Sequence, residues 1–216
     1  MLYDKLIFPK RALTVILLSM LSMGFLSVSA ARKKPVQKIK VACVGNSITY
    51  GTGIEDREHF SYPVQLQKML GDKYLVGNFG KPGATLLNHG HRPYMKQEEY
   101  KQAMAFKGDI AVIHLGINDT DPRNWPNYRD EFVKDYLSLM DSLRSANPKV
   151  RFILACMTPI AHRHPRFISG TKLWHDEIQE AIKVVARVSG AELIDFHAPL
   201  YPYPNLLPDA IHPNAE

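Results

Sequence analysis

The sequence predicts an α/β domain built around a parallel sheet, and three observations lead there. Five short apolar runs rich in β-branched residues recur along the chain: KIKVACVG, YLVGNFG, DIAVIHLG, VRFILACM and AELIDF. Helix-like stretches separate most of them. The three longest polar loops each follow the carboxyl end of one of the runs. Strands alternating with helices call for parallel pairing through right-handed crossovers, and open parallel sheets place their ligands beyond the carboxyl ends of the strands.

The elements follow in chain order. Residues 38–45 form the first strand, continuously apolar as expected of a strand buried on both faces. The stretch SYPVQLQKMLGDK is a helix whose Val64, Leu66, Met69 and Leu70 share a face, with Pro63 tolerated in the first turn. The second strand spans 74–80, a loop is expected over 80–108, and the third strand spans 109–116. After a loop at 116–127, a helix runs from about Tyr128 to Ala146 and closes before Pro148. The fourth strand (150–157), a loop (157–170), a helix (171–189) with Ile178, Ile182 and Val185 at 3.6-residue spacing, and the fifth strand (191–196) complete the domain. The chain ends at DAIHPNAE, where Pro213 would open another helix, so the closing helix of the sheet is expected to be missing.

The chain has 216 residues and a formal net charge of +6. Lys5, Lys10 and Arg11 precede the apolar stretch LTVILLSMLSMGFLSVSA, which exits through Val28-Ser29-Ala30. A basic start, apolar middle and small-residue exit describe a secretory signal over 1–30, and hence an extracytoplasmic protein. The alternative is an uncleaved membrane anchor, since the stretch approaches spanning length. Residues 31–37 form a basic linker and 38–216 the folded domain. Without the leader and the basic start of the mature chain the domain is near neutral, which argues against a nucleic-acid footprint. Cys43 and Cys156 each sit in an apolar run and read as small core residues. The pairs His89/His91 and His162/His164 lie among Gly, Pro and Arg in loops, which lack the positioned ligands of a metal site. No metal or other cofactor is expected.

The polar residues at the strand ends form a set. Ser47 follows the first strand in GNSITYG, Gly80 and Gly83 follow the second in NFGKPGAT, and Asn118 follows the third in GIND. Asp209 and His212 lie in DAIHP beyond the last strand. Each has an ordinary structural explanation: Ser47 as a helix cap, Asn118 and Asp209 as turn residues, His212 as a surface imidazole. Together they supply what acyl transfer needs: a nucleophile, a base, a carboxylate to orient it, and donors for an oxyanion.

In these four blocks, in this order, the chain resembles the SGNH hydrolase superfamily, also called GDSL-like lipases and esterases, from about Lys38 to the end. The resemblance implies a flavodoxin-like three-layer sandwich, its five-stranded sheet in the order 2-1-3-4-5 with helices on both faces. It makes Ser47 the nucleophile, with its own N–H, the Gly83 N–H and the Asn118 amide as the oxyanion hole. His212 becomes the general base and Asp209 its partner, and the three-residue step between them lets the carboxylate reach Nδ1. The chain departs from the family at Asn46, where Asp is usual.

Several esters suit such a catalytic set. The loops GHRPYMKQ, TDPRNWPNY and AHRHPRF carry Arg92, Tyr94, Arg123, Trp125, Arg163 and Arg166. Arginine forks suit carboxylates and aromatic faces pack on sugar rings, while the same arginines could simply be solvated. With GNSITYGTGIEDREHFSYPVQLQ and RPYMK, the chain is similar to secreted sialate O-acetylesterases. The expectation is a small-molecule or oligosaccharide ester substrate, an O-acetylated sugar with sialate as the specific case. A lysophospholipase or thioesterase, or a non-catalytic carbohydrate-binding module, is the alternative.

Overall fold

A computed structural model describes residues 37–165 and 172–216. The expected signal and nearly all of the basic linker therefore lie outside the described residues, as does Arg166. Five strands, β1 (Ile39–Gly45), β2 (Tyr74–Gly80), β3 (Ile110–His114), β4 (Arg151–Cys156) and β5 (Glu192–Asp195), form one sheet in the order β2-β1-β3-β4-β5. All four pairings are parallel. The register sets Gly45 beside both Gly80 and His114, and Cys156 beside Asp195. Strand ends thus finish level, and the loops that follow them share one edge of the sheet.

The helices that cover the sheet are α3 (Tyr62–Leu70), α4 (Glu98–Phe106), α6 (Phe132–Ala146) and α7 (Lys172–Ser189); α1 (Ser47–Tyr50), α2 (Arg57–Phe60) and α5 (Trp125–Tyr128) are single turns. Handedness assigns the faces. The β1-to-β2 step runs one way along the sheet and the later steps run the other, so right-handed crossovers put α3 opposite α4, α6 and α7. Packing agrees. Ala103 of α4, Phe132, Tyr136 and Leu139 of α6, and Ile178 and Ile182 of α7 share a core with Ala42, Val44, Ala111, Ile113 and Leu154. On the other face Val41, Cys43 and Val112 meet Tyr62, Leu66 and Leu70 of α3. Beside α3 that face keeps an open apolar groove of about 760 Å³, lined by Val112, Ile153, Ile194 and Phe196 among others. Cys43 and Cys156 are buried free thiols.

One expected loop is corrected. Residues 80–108 contain α4 and a 3₁₀ turn at Tyr94–Lys96. A parallel crossover from β2 to β3 needs a covering element, but EEYKQAMAF buries fully only Ala103, so its apolar period is weak. The loop over 116–127 likewise holds a 3₁₀ turn (Ile117–Thr120) and the start of α5.

Candidate active site

Ser47 is not the cap of its helix. Asn46 is: its Oδ1 accepts the Ile48 N–H at 3.0 Å, leaving Ser47 as the first helical residue. The strand-to-helix turn is fixed by close approach to β2. A Cβ on Gly80 would lie 2.1 Å from the Tyr50 nitrogen, so only glycine lets α1 sit against that strand. Relieved of capping, the Ser47 hydroxyl finds another partner. It lies 2.8 Å from His212 Nε2, although the two residues are 165 positions apart. His212 Nδ1 lies 2.5 Å from Asp209 Oδ2, and Asp209 Oδ1 accepts the backbone N–H groups of Ile211 and His212 at 3.0 and 2.7 Å. Burial raises the pKa of the Asp209 carboxyl, but the bonds from His212 and Ile211 outweigh it and hold the group below its ordinary value. Asp209 is therefore a carboxylate, acceptor only, and accepts a hydrogen bond from the Nδ1–H of the imidazole. Nε2 is left to accept from the serine.

Asn118 and Gly83 are brought to the same edge. Asn118 sits in the 3₁₀ turn after β3 and donates Nδ2–H to the Ala84 carbonyl at 2.9 Å. That leaves its second amide N–H without a partner among the described residues. Gly83, next to Ala84, has φ +77°, a left-handed conformation that suits glycine. Asp119 supports this segment. Fully buried, it accepts the N–H groups of Leu86 and Leu87, each at 2.9 Å. Burial pushes its pKa up to about 7 against those two bonds. The structure divides the labour, with Asn118 facing the strand edge and Asp119 anchoring the neighbouring loop.

A serine, an imidazole and a carboxylate joined by hydrogen bonds, at a sheet edge that also carries two candidate oxyanion donors, is an arrangement for acyl transfer, and the sequence profile of the GDSL-like lipase/acylhydrolase family matches residues 43–216. The chain belongs to the GDSL-like lipase/acylhydrolase family. It is 42% identical over 193 residues to an acetylxylan esterase of Xylanibacter ruminicola, covering 82% of this chain and 40% of that protein. The chain thus spans less than half the length of this relative. Among solved structures, an acetyl xylan esterase superposes with a TM-score of 0.60 at 20% identity, covering 82% of this chain and 92% of that one. The SGNH-hydrolase family esterase AlinE4 superposes at 0.58 and 18%, covering 79% and 82%. A carbohydrate acetylesterase from Sinorhizobium meliloti superposes at 0.54 and 20%, covering 73% and 84%. At these identities the structures speak for the fold.

Within this GDSL-like frame the expected substrate-binding residues separate. Two are corrected. Tyr94 is fully buried and donates its hydroxyl to the Phe79 carbonyl at 2.7 Å, and Trp125, 3% exposed, donates Nε1–H to Glu177 at 2.5 Å. Both rings are core, because both polar tips find internal acceptors, so neither offers a face to a sugar. Arg123 is held by two bonds to Asp121. Arg92 is exposed and lies against Gly83, donating to the Pro82 carbonyl at 3.1 Å. Arg163 donates to the carbonyls of Pro204, Leu207 and Pro208, a contact that a loop arginine gives no sign of in sequence. Of the paired histidines, His89 meets Glu131 at 2.7 Å and His91 meets Asn124.

Proposed function

We propose that this GDSL-like protein is a serine esterase that removes O-acetyl groups from carbohydrates. The observation that carries the reading is the 2.8 Å contact between Ser47 Oγ and His212 Nε2, with Asp209 at 2.5 Å from Nδ1. His212 takes the Ser47 proton as the oxygen attacks the ester carbonyl. The oxyanion is met by the N–H groups of Ser47 and Gly83 and by the free N–H of Asn118. Collapse expels the sugar hydroxyl, protonated by His212. Water, activated by the same imidazole, then releases acetate and restores Ser47. Asp209 keeps the imidazole in the required tautomer throughout and stays ionised.

An acetyl group on a sugar is favoured over a long acyl chain by the acetylxylan esterase relative. Arg92, exposed and lying against Gly83, supports a polar substrate in this reading. Initial rates with p-nitrophenyl esters of increasing chain length, followed by acetate release from acetylated xylan oligosaccharides and O-acetyl sialic acid, test both parts. Acetate is expected to be the preferred acyl group. Preference for long chains would instead identify a lysophospholipase-type member. Release from sialic acid and not from xylan would assign the sialate case. Ser47→Ala is expected to abolish hydrolysis with an unchanged circular dichroism spectrum, and a fluorophosphonate probe to label Ser47. Labelling of a different serine would refute the assignment.

A further inference from the structure

His212 and Asp209 belong to neither a strand nor a long helix. β5 ends at Asp195, and between there and the chain's last residues the described backbone forms only one 3₁₀ turn, Pro204–Leu206. The segment that carries them is not stable by its own geometry. Ala210, between the two, has φ +73°, a left-handed conformation that is strained for a non-glycine residue. Its N–H closes the turn onto the Leu207 carbonyl at 2.8 Å. That same carbonyl accepts from Arg163 Nη2. Arg163 also reaches the Pro208 carbonyl at 3.4 Å and, through Nη1, the Pro204 carbonyl at 3.2 Å. Two residues earlier, the Ala161 N–H donates to the Ala210 carbonyl at 2.8 Å, and Ala161, Leu207 and Ala210 bury one another. Among the described residues no carboxylate pairs with Arg163, so its fork is spent on backbone.

We infer that Arg163 is a positioning residue, a clamp from the loop after β4 that sets the Leu207–Ala210 turn and thereby the reach of His212 to Ser47. The role rests on the esterase reading above. Three carbonyls in one fork define a position more sharply than an ammonium could, because the guanidinium is planar and presents its donors at fixed angles. Catalysis depends steeply on that position, since a 1 Å misplacement from a remote change can cost about 10²-fold in rate.

The test compares Arg163→Met, which keeps the apolar stem, with Arg163→Lys, both well below their melting temperatures. For p-nitrophenyl acetate, kcat of Arg163→Met is expected to fall by about 10²-fold with KM little changed, and Arg163→Lys to recover part of it. Hydrogen exchange of the 204–212 peptide is expected to quicken in Arg163→Met. A lower melting temperature with kcat per folded molecule unchanged would make Arg163 merely structural and overturn the inference. Unchanged exchange at 204–212 would overturn the clamp whatever the rates. If the native protein neither hydrolyses esters nor labels at Ser47, the esterase reading fails instead, and the exchange measurement still decides the clamp.

Discussion

Asn118 shows how two roles can meet in one side chain. One amide N–H holds the Ala84 carbonyl, and the other, without a partner among the described residues, is the proposed oxyanion donor. Asn118→Asp preserves the shape and removes both donors. Turnover per folded molecule is expected to fall by about 10² to 10³ with KM little changed, as for loss of an oxyanion donor. Near-native kcat in that variant would take Asn118 out of the oxyanion hole. Single residues divide sharply in how legible they were. Ser47, Asp209 and His212 could be proposed from sequence because their residue types and order make sense only together. Tyr94 and Trp125 are not legible as core residues, because burial depends on what packs around a loop: the Phe79 carbonyl and Glu177 that take their polar tips come together only on folding. The Arg163 contacts were invisible for the same reason, since its three acceptors are backbone carbonyls some forty positions away.

Among the elements, the strands were read closely because an apolar run buried on both faces leaves little ambiguity. α6 and α7 were equally plain from their period. α4 was missed, its nine residues fully burying a single alanine. The smallest helix matters most for chemistry. α1 is one turn long and leans on β2 at Gly80, where an added methyl would meet the backbone of Tyr50. Gly80→Ala is expected to push α1 and Ser47 away from the strand. Overpacking of this kind costs roughly 1–3 kcal/mol, so the urea midpoint should drop, and kcat should fall further than the lost stability explains. Native kcat in the Gly80→Ala variant would show that α1 can shift without moving the serine hydroxyl.

Across the whole molecule, the sheet order and its crossover hand settle where every functional loop emerges. The order was implied by family resemblance, and the parallel arrangement by strand–helix alternation alone. One packing detail ties global stability to pH. His114 at the end of β3 and His175 on α7 grip the same residue: Thr158 N–H donates to His114 Nε2 at 3.2 Å, and His175 Nε2 lies 3.1 Å from the Thr158 carbonyl. Burial lowers both imidazoles from 6.5 to about 4, with Asp176 3.8 Å from His175 pulling the other way. The folded state therefore holds them neutral while the unfolded chain takes up protons below 6.5. Their contribution is complete above that pH and shrinks by about 1.4 kcal/mol per pH unit for each imidazole as pH falls toward 4. Buried Asp119, raised to about 7, gains stability as pH falls over the same window, so urea midpoints at pH 7 and pH 5 report the histidine loss less that gain. In His114→Gln, whose amide oxygen can accept from Thr158, the midpoint at pH 5 should fall less below that at pH 7 than it does in the native protein, because the His114 share is gone. An unchanged difference would exclude His114 as its source.

The two halves of the proposed catalytic pair stand on unequal footing. Ser47 is joined through α1 to the centre of the sheet, whereas His212 follows a stretch with no strand or long helix, held by turn hydrogen bonds, the Arg163 contacts, the Ala161–Leu207–Ala210 cluster and Ile211 against the main core. Segments with few buried contacts open at far lower free energy than sheet cores. Heat should therefore part the imidazole from the serine before it melts the sheet, and cooling should rejoin them. Initial rates are expected to decline, reversibly, at temperatures where far-ultraviolet dichroism is still that of the native protein. Rates that follow the dichroism melt would mean that loop and sheet let go together. The proposed pair would then be silenced by warmth without being destroyed by it.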